Sequence, residues 1–298
     1  MSPLATSRAA ISLIRLSRPH NLVITLLGVV VGASIAEPGV FRSVQGLLIA
    51  SAPPILVAAG GYIVNDYYDI DIDRRSKPWR PLAKGDIEPA HALIASIVFM
   101  ILGFLAALLI SSPLLALFVA VNAILTYAYS WRLKRTGFLG NICVSILSAN
   151  SILYGGLFYA MESSRNPQWF FEIAVPWVYA FAMSLSREIV KGIEDIAGDS
   201  VHGVKTLAVS RGYRYASLTA SLILAFLLSI VWIPIMIRYS IAYLALAIIS
   251  TTIFLVSAIR ITISRDISTA VRRASSARSI SKLSLLLGTI AFLAWALQ

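Results

Sequence analysis

The sequence predicts an all-α polytopic membrane protein with nine transmembrane helices in two pseudo-repeated halves. Three observations carry this. Of the 298 residues, 58% are hydrophobic and only 13% charged, well below the charge of an ordinary soluble domain. Apolar runs of about 20 residues, the length that spans a bilayer as a helix, recur along the whole chain. The basic residues alternate from loop to loop as they do in polytopic proteins. Backbone groups in lipid must bond internally, so each run is a helix.

The first run, 21–37, follows Arg15 and Arg18 and ends in "GASIAEPG". That layout also fits a cleaved signal peptide, but the short loop into the next span reads as an uncleaved first helix. The second run, 45–65, leads into "NDYYDIDID". Runs 91–111 and 113–131 are parted only by "SSP". Runs 138–160 and 170–191 follow, the latter leading into "KGIEDIAGD". Runs 216–237 and 241–260 turn near Arg238, and 281–297 closes the chain. Between the last two, "ITISRDISTAVRRASSARSI" at 261–280 reads as a solvated basic linker or as a segment lying against anionic headgroups. Residues 1–298 are expected to form one transmembrane domain without a soluble appendage.

The net charge of +11 invites a nucleic-acid partner, but topology explains it. With the N-terminus in the cytoplasm, 22 of the 25 Lys and Arg fall in inside segments, and only Arg42, Arg165 and Arg238 fall outside. The positive-inside rule then puts the acidic helix ends on the cytoplasmic side and the C-terminus outside. The partners expected are therefore the bilayer and lipophilic molecules, with no nucleic acid and no obligate protein partner. Cys143 is alone in an apolar run, so there is no disulfide framework. His20, His91 and His202 are scattered, which argues against zinc.

The chain has 14 acids, and eight occupy two short windows at inward helix ends: Asp66, Asp69, Asp71, Asp73, and Glu188, Glu194, Asp195, Asp199. Asn65, Asp69 and Asp73 are spaced i, i+4, i+8, which drifts only about 80° around a helix, so they share a face. Lys191, Asp195 and Asp199 repeat the spacing. Two oxygen-rich faces suit a hard cation such as Mg²⁺, which commonly shares its shell with substrate phosphates. Around them stand Lys77 and Arg80 in "SKPWRP", Lys134 and Arg135 in "WRLKR", and Lys191 and Lys205. Acidic faces holding metal, ringed by Lys and Arg, describe a diphosphate site. Asp66 and Asp71 lie off the shared face, as solvated or as supporting residues. Glu188 is a ligand or the partner of Arg187. Asn122, Asn141, Asn150 and Tyr154 sit in apolar runs, where polar groups link helices or line cavities.

With these motifs the chain resembles the UbiA superfamily of intramembrane prenyltransferases. The pattern N-D-x-x-D-x-x-x-D is met by Asn65, Asp66, Asp69 and Asp73, followed by "DR..KPWRPL"; the pattern D-x-x-x-D is met by Asp195 and Asp199. The resemblance implies nine helices around a central cavity, with the two acidic ends facing each other under a cytoplasmic cap. It implies two Mg²⁺ held by Asn65, Asp69, Asp195 and Asp199, with Asp73 a ligand, a supporting residue or part of the cap. It also implies an isoprenyl diphosphate held by Lys77, Arg80, Lys134 and Lys191, and transfer of its chain to an acceptor. "REIVKGIEDIAGD" looks most like the archaeal branch whose acceptor is geranylgeranylglyceryl phosphate and whose product is an ether lipid. An aromatic acceptor such as 4-hydroxybenzoate is the alternative. Asp66, Arg18, Arg135, Glu188 and Tyr154 are candidates for support or acceptor contact, and the catalytic base is not identified. A secondary transporter is a further reading, but its acids would be expected near the bilayer midplane rather than at helix ends.

Overall fold

The computed structural model describes residues 3–37, 39–162, 168–201 and 203–298. Arg165 and His202 lie outside the described residues. The chain runs through α1 (Pro3–Leu16), α2 (Pro19–Ala36), α3 (Val44–Tyr68), α4 (Ile70–Ser76), α5 (Pro81–Lys84), α6 (Pro89–Ile110), α7 (Pro113–Trp131), α8 (Phe138–Glu162), α9 (Gln168–Glu194), α10 (Ile196–Val201), α11 (Leu207–Arg211), α12 (Tyr213–Ile230), α13 (Ile233–Ile237), α14 (Ile241–Thr262) and α15 (Ile267–Ala296). Among the described residues, nine helices are long and apolar enough to cross a membrane, α12 counting together with α13. They are the nine expected from the sequence. The chain packs as two compact units, Met1–Val29 with Phe41–Trp131, and Val30–Val40 with Arg132–Gln298.

In the first unit α3 packs on α6 and α7. Small residues bring the backbones together: Ser96 Oγ donates to the Gly60 carbonyl at 2.9 Å, and a side chain at Gly60 would collide with the α6 backbone. Close approach of this kind drives helix association where lipid removes the hydrophobic incentive. Ile94, Val98, Ile101 and Leu105 of α6 remain exposed, as expected of a face against lipid. One element was not foreseen. Helix α1 lies on α3 and α5, where Leu16 is buried with Ile63, Leu82, Ile87 and Ala92, and Leu13 packs against them. The chain preceding the first span thus packs on the helix that leads into the first acidic cluster.

In the second unit α9 packs on α8, α12 and α15, and α14 lies between α12 and α15. Tyr179 on α9 shares a hydrogen bond of 2.7 Å with Ser250 on α14. Arg238 pairs with Glu172 and lies 5.5 Å over the Trp295 ring. The basic segment 261–280 is not a linker. Residues 267–296 form one 30-residue helix. Ala270, Ala274, Ala277, Ser281, Ser284, Gly288 and Ala291 recur on one buried stripe of it, and Arg278 donates to Glu194 at 2.9 Å. Asp266 caps it, accepting from the Thr269 amide at 2.8 Å and from Ser268 at 2.6 Å. These bonds, that from Ser268 first, hold the Asp266 carboxyl down to about 2. Asp266→Ala is expected to free the first turn of α15, read as faster hydrogen exchange at Thr269; unchanged exchange would show that the cap holds nothing.

Candidate active site

The first acidic cluster is built where α3 ends. Helix α3 stops at Tyr68, Asp69 takes φ −95° and ψ 1°, and α4 begins at Ile70. The four-residue hydrogen-bond register nevertheless continues: the Asp69 amide donates to Asn65 O at 3.1 Å, and the Asp73 amide to Asp69 O at 2.8 Å. Asn65 and Asp69 are half-buried, and Asn65 Nδ2 donates to Asp69 Oδ2 at 3.1 Å. An amide oxygen and a carboxylate one turn apart are thereby held together.

Asp66 and Asp73 stand differently. They are 4% and 3% exposed. Arg80 Nη1 donates to Asp73 Oδ2 at 2.5 Å and to Asp66 Oδ1 at 3.1 Å, and Arg18 pairs with the same Asp66 oxygen. Burial pushes the Asp73 carboxyl up, and the Arg80 charge opposes that only in part. Arg18 also lies 5.4 Å over the Tyr62 ring. Its backbone sits at φ 52°, a left-handed conformation costing a non-glycine residue about 1–2 kcal/mol. The strain is held by an ion pair 48 residues away in sequence and by Pro19, which starts α2. The expected diphosphate contact Arg80, the expected metal donor Asp73 and the candidate acceptor contact Arg18 are therefore joined through Asp66. Asp71 is exposed and pairs with Arg74 at 3.3 Å. Lys77 caps α4 through its amide, which donates to Asp73 O at 2.8 Å.

The second cluster repeats the construction. Helix α9 stops at Glu194, α10 begins at Ile196, and Asp195 stands at the break. The Asp195 amide donates to Lys191 O at 3.0 Å, and the Asp199 amide to Asp195 O at 2.9 Å. Asp195 and Asp199 are half-buried. Glu188, buried one turn before Lys191, accepts from Arg187 at 2.5 Å and from Lys191 Nζ at 3.4 Å. It is a partner of both cations. The second unit also places Lys134 and Arg135, on the 3₁₀ turn Leu133–Thr136. Gly137 follows at φ 70°, with its Cα so close to the Lys205 carbonyl that a Cβ would fall 1.8 Å from it. Only glycine fits there, and it brings the Lys134 turn against the segment after the second cluster.

Among the described residues no three His, Cys, Asp or Glu side chains gather into a metal cage. Asn65 with Asp69, and Asp195 with Asp199, are paired hard oxygens without thiolate or imidazole. That donor chemistry fits Mg²⁺, which is usually held by one or two carboxylates with water and phosphate oxygens completing its shell.

Higher in the second unit, Trp177 Nε1 on α9 donates to Asn150 Oδ1 on α8 at 3.0 Å. Asn150 therefore links helices, as its place in an apolar run suggested; the indole partner was not legible from spacing. Tyr154 is 1% exposed, and its hydroxyl is buried with no partner among the described residues. An unmet buried hydroxyl costs about 1–3 kcal/mol. Tyr154→Phe is expected to leave the melting temperature unchanged or raise it; a fall would show that the hydroxyl has a partner.

The UbiA prenyltransferase family profile matches residues 23–296. A digeranylgeranylglyceryl phosphate synthase of Hyperthermus butylicus is 37% identical over 291 residues, 95% of each chain. The enzyme of that name from Saccharolobus solfataricus is 38% identical over 283 residues, again 95% of each. A solved structure described as digeranylgeranylglyceryl phosphate synthase in membranes superposes with a TM-score of 0.74 at 24% identity, covering 97% of this chain and 99% of that one. A UbiA homologue from Archaeoglobus fulgidus bound to DMAPP and Mg²⁺ superposes at 0.68 with 21% identity, covering 94% and 99%. These two structural likenesses establish the fold. Together with the family match over nearly the whole chain and both acidic patterns at helix ends, they lead to one conclusion: this multi-pass membrane protein belongs to the UbiA prenyltransferase family and is a prenyltransferase.

Proposed function

We propose that the protein transfers a geranylgeranyl group from its diphosphate to the free hydroxyl of geranylgeranylglyceryl phosphate, a step of archaeal ether-lipid synthesis. The identity of 37–38% over 95% of two archaeal enzymes named for that product is the observation that carries this reading. In it residues 1–298 act as a single transmembrane prenyltransferase domain, both acidic helix ends serve the diphosphate from the cytoplasmic side, and the C-terminus lies outside. The asymmetry of Lys and Arg supports that orientation.

Asn65, Asp69, Asp195 and Asp199 would hold Mg²⁺, two ions in this reading. A metal held by these residues would neutralise charge on the diphosphate oxygens, so that pyrophosphate would leave more readily. Lys191, drawn toward Glu188, and Lys77 at the end of α4 add positive charge where the leaving group gains negative charge. Arg80 stands between Asp66 and Asp73 and fixes the α3–α4 break that carries Asp69. In the transfer the allylic C–O bond breaks, its electron pair leaves with pyrophosphate, and the acceptor hydroxyl oxygen bonds to the freed carbon and gives up its proton. Lys134, on the turn fixed by Gly137, adds charge at the diphosphate, and Arg135 beside it offers charge to an acceptor phosphate. The apolar helices exclude water, which would otherwise capture the allylic carbon.

The test supplies purified protein with Mg²⁺, geranylgeranyl diphosphate and either geranylgeranylglyceryl phosphate or 4-hydroxybenzoate. The expected result is pyrophosphate and the diether with the first acceptor, lost on chelation. Prenylated 4-hydroxybenzoate alone would replace the acceptor. Uptake into liposomes without turnover would point to a transporter instead.

A further inference from the structure

We propose that the stacked pair Trp177 and Phe181, pinned by Asn150, sets the length of isoprenyl chain the enzyme accepts. The proposal rests on the reading of the Asp195 end of α9 as part of the diphosphate site.

Helix α9 carries Trp177, Phe181, Ser184, Glu188 and Lys191 in steps of four and three, with Asp195 next in the same sequence. At 100° per residue these stay within about 40° of one line along the helix. The opposite side of α9, with Tyr179, Met183, Ser186 and Ile193, is buried. Along the Trp177 line every residue except Glu188 is only half-buried. The line therefore presents a surface that the core of its own unit covers only in part, with Phe181 packing against the edge of that core, and it ends at the second acidic cluster.

The bulk on this line is unevenly placed. Between Phe181 and Glu188 it carries only the small Ser184. Above it, the rings of Phe181 and Trp177 lie 5.6 Å apart with planes at 3°, and Trp177 is tied across to α8 by its bond to Asn150 at 3.0 Å. An indole held by a stack and an interhelical hydrogen bond cannot swing away without losing both. From Asp195 back to Phe181 is a helical rise of roughly 21 Å, about the extended length of four isoprene units. A chain with its diphosphate at the Asp195 end and running along this line would bring its terminal methyls to the Phe181 ring. One more isoprene unit would have to displace the pinned pair.

The test uses the full-length purified enzyme with Mg²⁺, one acceptor, and allylic diphosphates of three, four and five isoprene units, read as kcat/KM. Phe181→Ala and Trp177→Ala are each expected to raise the five-to-four-unit ratio about tenfold or more, the scale of discrimination by apolar bulk in a pocket. Asn150→Leu, which frees the indole, should shift the ratio the same way by less. Ser184→Phe should act oppositely and favour the three-unit donor over the four-unit donor. If the alanine variants do not accumulate as folded protein, Ser184→Phe decides the matter through that opposite shift. Transfer with unchanged length ratios overturns the length stop and leaves the diphosphate reading intact. No transfer by the unaltered enzyme with any donor overturns both.

Discussion

Asp69→Ala and Asp195→Ala are each expected to lower Mg²⁺-dependent transfer by on the order of 10²–10³, the scale of losing a group that stabilises charge at the reacting centre. Each aspartate stands at the one-residue break between a spanning helix and a short helix, each is half-buried, and each keeps a four-residue hydrogen-bond register through the break. Neither half-buried side chain closes the core of its unit, so the variants should fold. Asp71→Ala is the control: Asp71 is exposed and pairs with Arg74, and its loss should leave the rate within about twofold. Initial rates of pyrophosphate release measure all three. A rate in either active-site variant comparable to that of Asp71→Ala would remove these carboxylates from the chemistry.

The second large effect is on stability. Arg80 is 22% exposed in its side chain and meets two carboxylates that are 5% and 4% exposed. Arg80→Ala is expected to cost about 3 kcal/mol, because removing one partner of a buried pair strands the other's charge. Arg18 still neutralises Asp66 in that variant, so the stranded charge is that of Asp73. The double variant Arg80→Ala/Asp73→Asn should recover most of the loss. The pH dependence follows from the raised Asp73 carboxyl. Its ionised form is disfavoured in the fold, so the penalty is full above its folded pKa and vanishes as pH falls toward the unfolded value near 3.8. The cost of Arg80→Ala should accordingly shrink as pH is lowered from neutral, read as melting temperature in detergent. An equal cost at both ends of that range would mean that Asp73 is not the stranded group.

Much of the architecture was legible because the bilayer imposes simple lengths and signs. The nine apolar runs correspond to nine helices long and apolar enough to span, among the described residues, and the uneven supply of acid marks both motif ends. What stayed hidden involved contacts that spacing does not encode. The breaks at Asp69 and Asp195 preserve the four-residue bond register, so the spacing looked like continuous helices. Arg18 and Arg80 meet at Asp66 from 48 and 14 residues away, and no periodicity announces that. Helix α1 is a short amphipathic stretch and carries no spanning signal, although Leu13 and Leu16 pack on the α3 side of the first cluster. The 261–280 stretch misled through its Ser and Arg content. Its buried stripe of Ala, Ser and Gly at helical spacing, and Asp266 three residues before Thr269, were signals that could have revealed α15.

The proposal that Asp69 at the end of α3 and Asp195 at the end of α9 both serve Mg²⁺-dependent binding of the diphosphate is best decided by a double-mutant cycle on binding. Mg²⁺-dependent affinity for a geranylgeranyl thiodiphosphate, which resists cleavage, would be measured in the unaltered protein, Asp69→Ala, Asp195→Ala and the double variant. Strong coupling is expected, the double variant binding about as poorly as the worse single one. Losses that simply add, or binding kept in full by either single variant, would contradict it.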